Sequence, residues 1–190
     1  MFSCTLCVHM FSCLGVMIND KLNCDSNTKF LVKRANARMR LLHQLVEFSV
    51  PLEDLLNIYI LYVRSILEQS SQVWHSSLTL DNFQDFDRVQ KNGLRIILQE
   101  DYSSYSHALN MTGLSTLFER REQLCLKFAK SSLKNKDMKG IFPHNEVISP
   151  IETQFREVYK VTKSRTERLK NSAVPYMQRL LNSDAQKKKK

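Results

Sequence analysis

Between residues 49 and 98 apolar side chains recur at helical spacing more densely than anywhere else, in two runs separated by a short polar break. Ser49, Pro51, Glu53 and Asp54 give the first run a helix start: a capping hydroxyl, a proline suited to the first turn, and acids where the helix dipole favours them. Leu55, Leu56, Ile58, Tyr59, Ile60, Leu61, Tyr62, Val63, Ile66 and Leu67 follow. A helix so apolar all round is expected to be covered on most sides. After polar residues 69–71, Thr79 opens a second helix in which Phe83, Phe86, Val89, Leu94 and Ile97 recur at helical spacing.

The helical pattern extends in both directions. Asp25, Ser26 and Asn27 signal the start of a helix over residues 28–48, with Phe30, Leu31, Met39, Leu41, Leu42, Leu45 and Val46 as its apolar positions. Ser103 or Ser104 caps a short helix that Gly113 ends. Thr116 and Glu119 form a capping box for a helix reaching Lys134, whose stripe is Leu117, Phe118, Leu124, Cys125, Phe128, Ala129 and Leu133. Polar residues, Gly140, Pro143 and Pro150 mark a linker over 135–150. The rest is basic and less periodic, with one short helix expected at 176–182 and a disordered lysine run at 187–190.

Composition agrees with a mainly α chain: 190 residues, 43% apolar, with only four glycines and four prolines. The net charge of +9 is uneven, since residues 156–190 hold eleven basic and three acidic side chains. A second basic concentration, Lys29, Lys33, Arg34, Arg38 and Arg40, crowds the first half of the 28–48 helix without an acid among them. Lys33, Arg34 and Arg38 are read as sharing one solvent-facing side, and such a group suits a phosphate backbone as well as a plain solvated face.

Residues 1–18 carry no charge, which raises a membrane span or a signal segment, but there is neither a basic start nor a small-residue cleavage pattern. Five cysteines, four of them at positions 4, 7, 13 and 24, do not form a disulfide framework and point to a reducing compartment. Cys4, Cys7, His9 and Cys13 supply one close pair in an apolar run, where structural zinc uses two separated pairs, so no metal is expected. His107 has no nucleophile in sequence reach and reads as a surface histidine. There is no glycine-rich phosphate loop.

Three stretches carry a resemblance. Tyr59-x-x-x-Val63-Arg64-x-Ile66-Leu67-Glu68, then Val73-Trp74-His75-Ser76-Ser77-Leu78-Thr79, then Val89-Gln90-Lys91-x-x-Leu94-Arg95-Ile96-Ile97 resemble, in order and spacing, the segment after the polymerase palm in non-LTR retrotransposon reverse transcriptases of the jockey-like kind. Residues 13–22 are similar to the same family's strand and turn at the palm edge. Residues 105–128 and 166–182 are similar to its C-terminal region.

The resemblance implies a thumb-like helical bundle of five to six helices with one or two short N-terminal strands. Its expected parts are a palm-edge strand and turn at 1–24, buried in the palm-edge reading, a thumb-like domain at 25–134, a linker at 135–150 and a basic segment at 151–190. It places the basic helix against a template–primer duplex, making Lys33, Arg34, Arg38, Arg40, Lys91 and Arg95 the candidate nucleic-acid contacts. The family's two metal ions are held at an aromatic-Ala-Asp-Asp motif, and no Asp-Asp pair occurs in this chain. The expectation is therefore a truncated reverse-transcriptase fragment that is no enzyme, needs no cofactor and binds RNA–DNA or duplex backbone without reading sequence. The alternative is a helical interaction or self-associating module, or a relic without activity, with apolar surface exposed where the palm once packed. Either is expected inside the cell, in nucleus or cytoplasm, and not in a membrane.

Overall fold

The computed structural model describes residues 10–20, 23–145 and 158–187. It is mainly helical. A β-hairpin of β1 (Met10–Cys13) and β2 (Val16–Asn19) leads into α1 (Asp25–Glu47) and α2 (Leu52–Ile58). A π-helical stretch (Tyr59–Arg64) continues α2 into α3 (Ser65–Glu68). Then come α4 (Ser71–Trp74), α5 (Leu80–Leu98), α6 (Tyr105–Thr112), α7 (Leu117–Lys134), α8 (Glu167–Lys170) and α9 (Ala173–Lys187). The chain divides into two compact units, residues 1–70 with 78–120, and residues 71–77 with 121–190.

Helix ends show where local chemistry acts as the sequence suggests. The Thr79 hydroxyl accepts from Asn82 N at 3.3 Å, and Ser104 Oγ from His107 N at 3.2 Å. Gly113 ends α6 in the left-handed region, at φ 64°. At Thr116 the capping box is complete: Glu119 N donates to Thr116 Oγ1 and Thr116 N to Glu119 Oε2, both at 3.2 Å. Two expected starts need correction. Asp25, Ser26 and Asn27 lie inside α1, whose N-cap is Cys24. Ser49 does not cap the next helix; it closes α1. With φ 56° it is left-handed, Ser49 N donates to Val46 O and Val50 N to Leu45 O, the paired bonds of a Schellman ending.

In the first unit α1 and α5 run side by side in the same direction. Asn82 Nδ2 donates to Asp25 Oδ1 near their starts, and Gly93 meets Met39 farther on. Leu31, Ala35, Met39 and Leu42 of α1 and Phe86, Val89, Leu94 and Ile97 of α5 are buried. Tyr59 is wholly buried at this contact, and a Cβ on Gly93 would sit 2.6 Å from its ring. Glycine is needed there for close approach.

The apolar central helix is covered on one side only. Leu55, Tyr59, Val63, Ile66 and Leu67 are buried, but Leu61 is 75% exposed, and Ile60 and Tyr62 are exposed as well. The wide π turn receives side-chain donors from outside its own ladder. Arg38 Nη1 donates to Tyr62 O at 2.7 Å, and Ser65 Oγ donates to Leu61 O at 2.7 Å. Its end carries a buried cation: Arg64 Nε lies 2.8 Å from Glu68 Oε1, which also pairs with Arg120 Nε at 3.3 Å. The hairpin likewise differs from the buried strand expected, because every residue of β1 is exposed and only Val16 of β2 is buried.

The second unit is better ordered than the linker and short helix expected there. Its core is Cys125, Ala129, Phe142, Met177 and Leu181. Phe142, inside the supposed linker, is therefore an anchor, and α9 runs fifteen residues instead of seven. On α9 two buried amides hold the extended stretch 159–162. Asn182 accepts from Tyr159 N at 2.8 Å and donates to Tyr159 O at 2.9 Å; Gln178 accepts from Thr162 N at 2.8 Å. Residues 146–150 of the expected linker, and 188–190 of the tail, lie outside the described residues.

Trp74 and His75 are buried in this unit, with Arg121 over the Trp74 ring at 5.5 Å and His75 edge-on to Tyr176 at 5.8 Å. Burial, reinforced by the Arg121 charge, lowers the His75 pKa from 6.5 to about 4.

Two outcomes follow. Gly93→Ala should destabilise by about 1–3 kcal/mol, because the overpacking cost against Tyr59 exceeds the helix-propensity gain; urea unfolding measures this, and a raised midpoint would refute the packing argument. Because the folded His75 pKa lies below the unfolded one, its contribution is complete above pH 6.5 and is lost as pH falls toward 4. Relative to His75→Gln, the wild type should lose about 2 kcal/mol between pH 7.5 and pH 5. Parallel stability–pH curves for the two proteins would show that His75 carries no such load.

Candidate nucleic-acid interface

Helical geometry sorts the basic residues of α1 into two groups. At about 100° per residue, Lys29, Lys33, Asn36, Arg40 and His43 follow one another by threes and fours along one stripe. All five are exposed. Arg34 and Arg38 lie on another side and are half-buried. Arg34 Nη1 reaches Gln69 Oε1 at 3.5 Å with its guanidinium 5.4 Å from the Phe30 ring, while Arg38 stacks 4.2 Å over Tyr62 as it holds that residue's carbonyl. The reading that Lys33, Arg34 and Arg38 share one solvent-facing side is thus corrected: Lys33 parts from the two arginines, which the fold has turned toward the π-helical stretch and Gln69.

Across from the exposed stripe, α5 presents its own row, Arg88, Asn92 and Arg95, also exposed. Between the two helices opens a groove of about 280 Å³, lined by Asn36, Met39, His43, Asn92, Arg95 and Ile96. Its lining combines one guanidinium, one imidazole and two carboxamides with the apolar Met39 and Ile96. No carboxylate is among them. Lys33 and Arg40 flank the groove on the α1 stripe, one turn before and after Asn36. Such a surface takes an anion: Arg95 supplies fixed charge, the amides supply donors, and the apolar side chains tolerate a sugar.

Of the six candidate contacts, the structure brings Lys33, Arg40 and Arg95 to this groove. Arg95 is held from beneath, its guanidinium 5.2 Å from the Tyr102 ring. Lys91 is half-buried with its ammonium 5.1 Å from the Tyr105 ring, and it does not line the groove. Asn36, His43 and Asn92 had no charge to draw attention in the sequence; spacing by threes and fours from Lys33 and Arg95 is the signal that finds them. Arg88 also lies on the α5 row, partly neutralised by Asp85 at 3.0 Å.

The resemblance motifs have another place in the structure. Tyr59, Val63, Arg64, Ile66, Leu67, Trp74, His75, Val89, Gln90, Leu94 and Ile97 are all buried. They build much of the interior, while Val73, Ser77, Thr79 and Arg95 of the same motifs stay exposed. His107 is exposed, as expected. Burial raises the Cys24 thiol to about 11 and the Cys125 thiol to about 12. Cys4, Cys7 and His9 lie outside the described residues; within those, no cluster of three metal-binding side chains occurs. No described helix is long and apolar enough to cross a membrane. Set against known proteins, the chain matches no family model, no curated protein and no solved structure.

Proposed function

We propose that the chain binds nucleic-acid backbone, without reading sequence, along the groove between α1 and α5. Its role is that of a thumb-like piece of a non-LTR retrotransposon reverse transcriptase, a binding element with no polymerase chemistry of its own. The observation that supports this most is the groove: two parallel exposed rows carrying Lys33, Arg40 and Arg95, a lining of amides and imidazole, and no carboxylate within it. The sequence supplies no Asp-Asp pair for the two-metal chemistry of that family. The basic C-terminal segment adds a diffuse attraction to the same polyanion.

Backbone binding is driven by counterion release, so affinity should fall linearly with salt on a logarithmic scale. The test is fluorescence anisotropy of a labelled RNA–DNA hybrid against the full chain over a salt series. Lys33→Ala, Arg40→Ala and Arg95→Ala together should lower the magnitude of the slope by about 3, one phosphate contact each. Arg34→Ala with Arg38→Ala should leave the slope nearly unchanged and show itself in stability, because those side chains hold Gln69 and the Tyr62 carbonyl. Binding indifferent to salt, or a triple variant with the wild-type slope, would overturn the reading.

A further inference from the structure

The groove between α1 and α5 is not uniform along its length. Asp25 meets Asn82 and Met39 meets Gly93, and these two contacts fix the register of the parallel pair. Asn36 therefore stands about level with Asn92, while Arg95 stands about level with Arg40, one turn short of His43. The two carboxamides gather at one end of the lining. The guanidinium and the imidazole gather at the other.

At this second end the charges differ in kind. Arg95 and Arg40 carry permanent guanidinium charge. Histidine is the side chain whose charge ordinarily changes between pH 5 and 8. His43 is exposed, and among the described residues no hydrogen bond or ion pair engages its ring. Its charged neighbours are Arg40 and Glu47, one turn before and after it on α1, and Arg95 across the groove on α5. The helix α2, which packs on both, carries Glu53 and Asp54, and Glu100 and Asp101 follow the end of α5. None of these five acids lines the groove. An anion seated there is thus the group that answers the cationic end.

We propose that this end is a phosphate subsite clamped by Arg95 from α5 and His43 from α1, and that its grip is proton-linked, tighter when His43 is charged. The inference rests on the groove being the nucleic-acid site, and adds to it a named subsite and a control by pH. A backbone phosphodiester keeps its single negative charge between about pH 6 and pH 8, so a proton taken up on binding in that range goes to the protein. A charged imidazole gains a partner from the phosphate, and the phosphate gains a second donor of positive charge. Linkage makes the help mutual: whatever factor the proton adds to phosphate binding, the phosphate adds to proton binding.

Anisotropy of the labelled RNA–DNA hybrid against the full chain, at pH 6 and at pH 8 over one salt series, tests it. The wild type should bind about five- to tenfold more tightly at pH 6, with a salt slope steeper by about 1, a single further phosphate contact. His43→Gln should bind at both pH values as the wild type does at pH 8. His43→Lys, whose charge is fixed across this range, should bind at both as the wild type does at pH 6. His43 is exposed, so both variants should keep the wild-type circular dichroism. His75 does not compete as the source of the effect, because burial holds its pKa down at about 4. Salt-dependent binding that is equal at pH 6 and pH 8 overturns the clamp and leaves the groove standing. A His43→Gln variant with the wild-type pH response does the same. Binding indifferent to salt at both pH values removes the groove and the clamp together.

Discussion

A guanidinium only 5% exposed has to be neutralised where it stands, and much of the first unit is arranged around doing that for Arg64. Glu68, one turn on, answers its charge at 2.8 Å, and Ser115 Oγ accepts from Nη2 at 3.3 Å. The carboxylate is shared with Arg120, and the Ser115 carbonyl is held by the buried Gln90 amide of α5 at 3.1 Å. One buried charge thereby ties the end of the π-helical stretch, α3, the loop before α7, the first turn of α7 and α5 to one another. The Arg64 charge is answered only if these partners are in place. Loss of any one leaves a desolvated charge or amide behind, which makes the arrangement specific as well as cohesive.

That network explains which parts of the fold were legible in the sequence. Signals confined to a few residues transferred well: the Thr116–Glu119 box, the Thr79 and Ser104 caps, and the Gly113 stop all act where they were read. Signals needing a tertiary partner did not. Ser49 has the chemistry of an N-cap, yet its φ of 56° serves the preceding helix, a choice made by the path of the chain. Apolarity around 55–67 marks a central helix, but only neighbours decide that Leu61 stays outside. Phe118 and Phe128 fit the apolar spacing of α7 and are nonetheless exposed. The 158–187 region looked weakly periodic because Gln178 and Asn182 are polar, and polarity there serves to bind main chain.

The basic helix makes the same point about charge. Adjacent residues such as Lys33 and Arg34 are about 100° apart on a helix, so a cluster in sequence divides between a surface and a contact with the protein itself. Arg38 is long and planar enough to cap a carbonyl and stack on Tyr62 at once, and the fold uses it for both. Counting cations therefore overstated the available charge. The groove is defined equally by neutral residues, Asn36, Asn92 and His43, that composition cannot single out.

The amide clamp on α9 carries a consequence for how the C-terminal unit tolerates change. Asn182 grips the N–H and C=O of Tyr159, and Gln178 grips the N–H and hydroxyl of Thr162 together with the carbonyl of Ile141. The same stretch bonds to the chain at 143–145, Lys160 N to Pro143 O and Asn145 N to Val158 O, and Tyr159 packs on the core, so between Tyr159 and Thr162 it is main chain, not side chain, that is held. Substitutional drift should be wide at Lys160 and Val161 and narrow at positions 178 and 182, four residues apart on one turn. Two carboxamides, with the bridge to residues 143–145, thus set the mutational freedom of Lys160 and Val161.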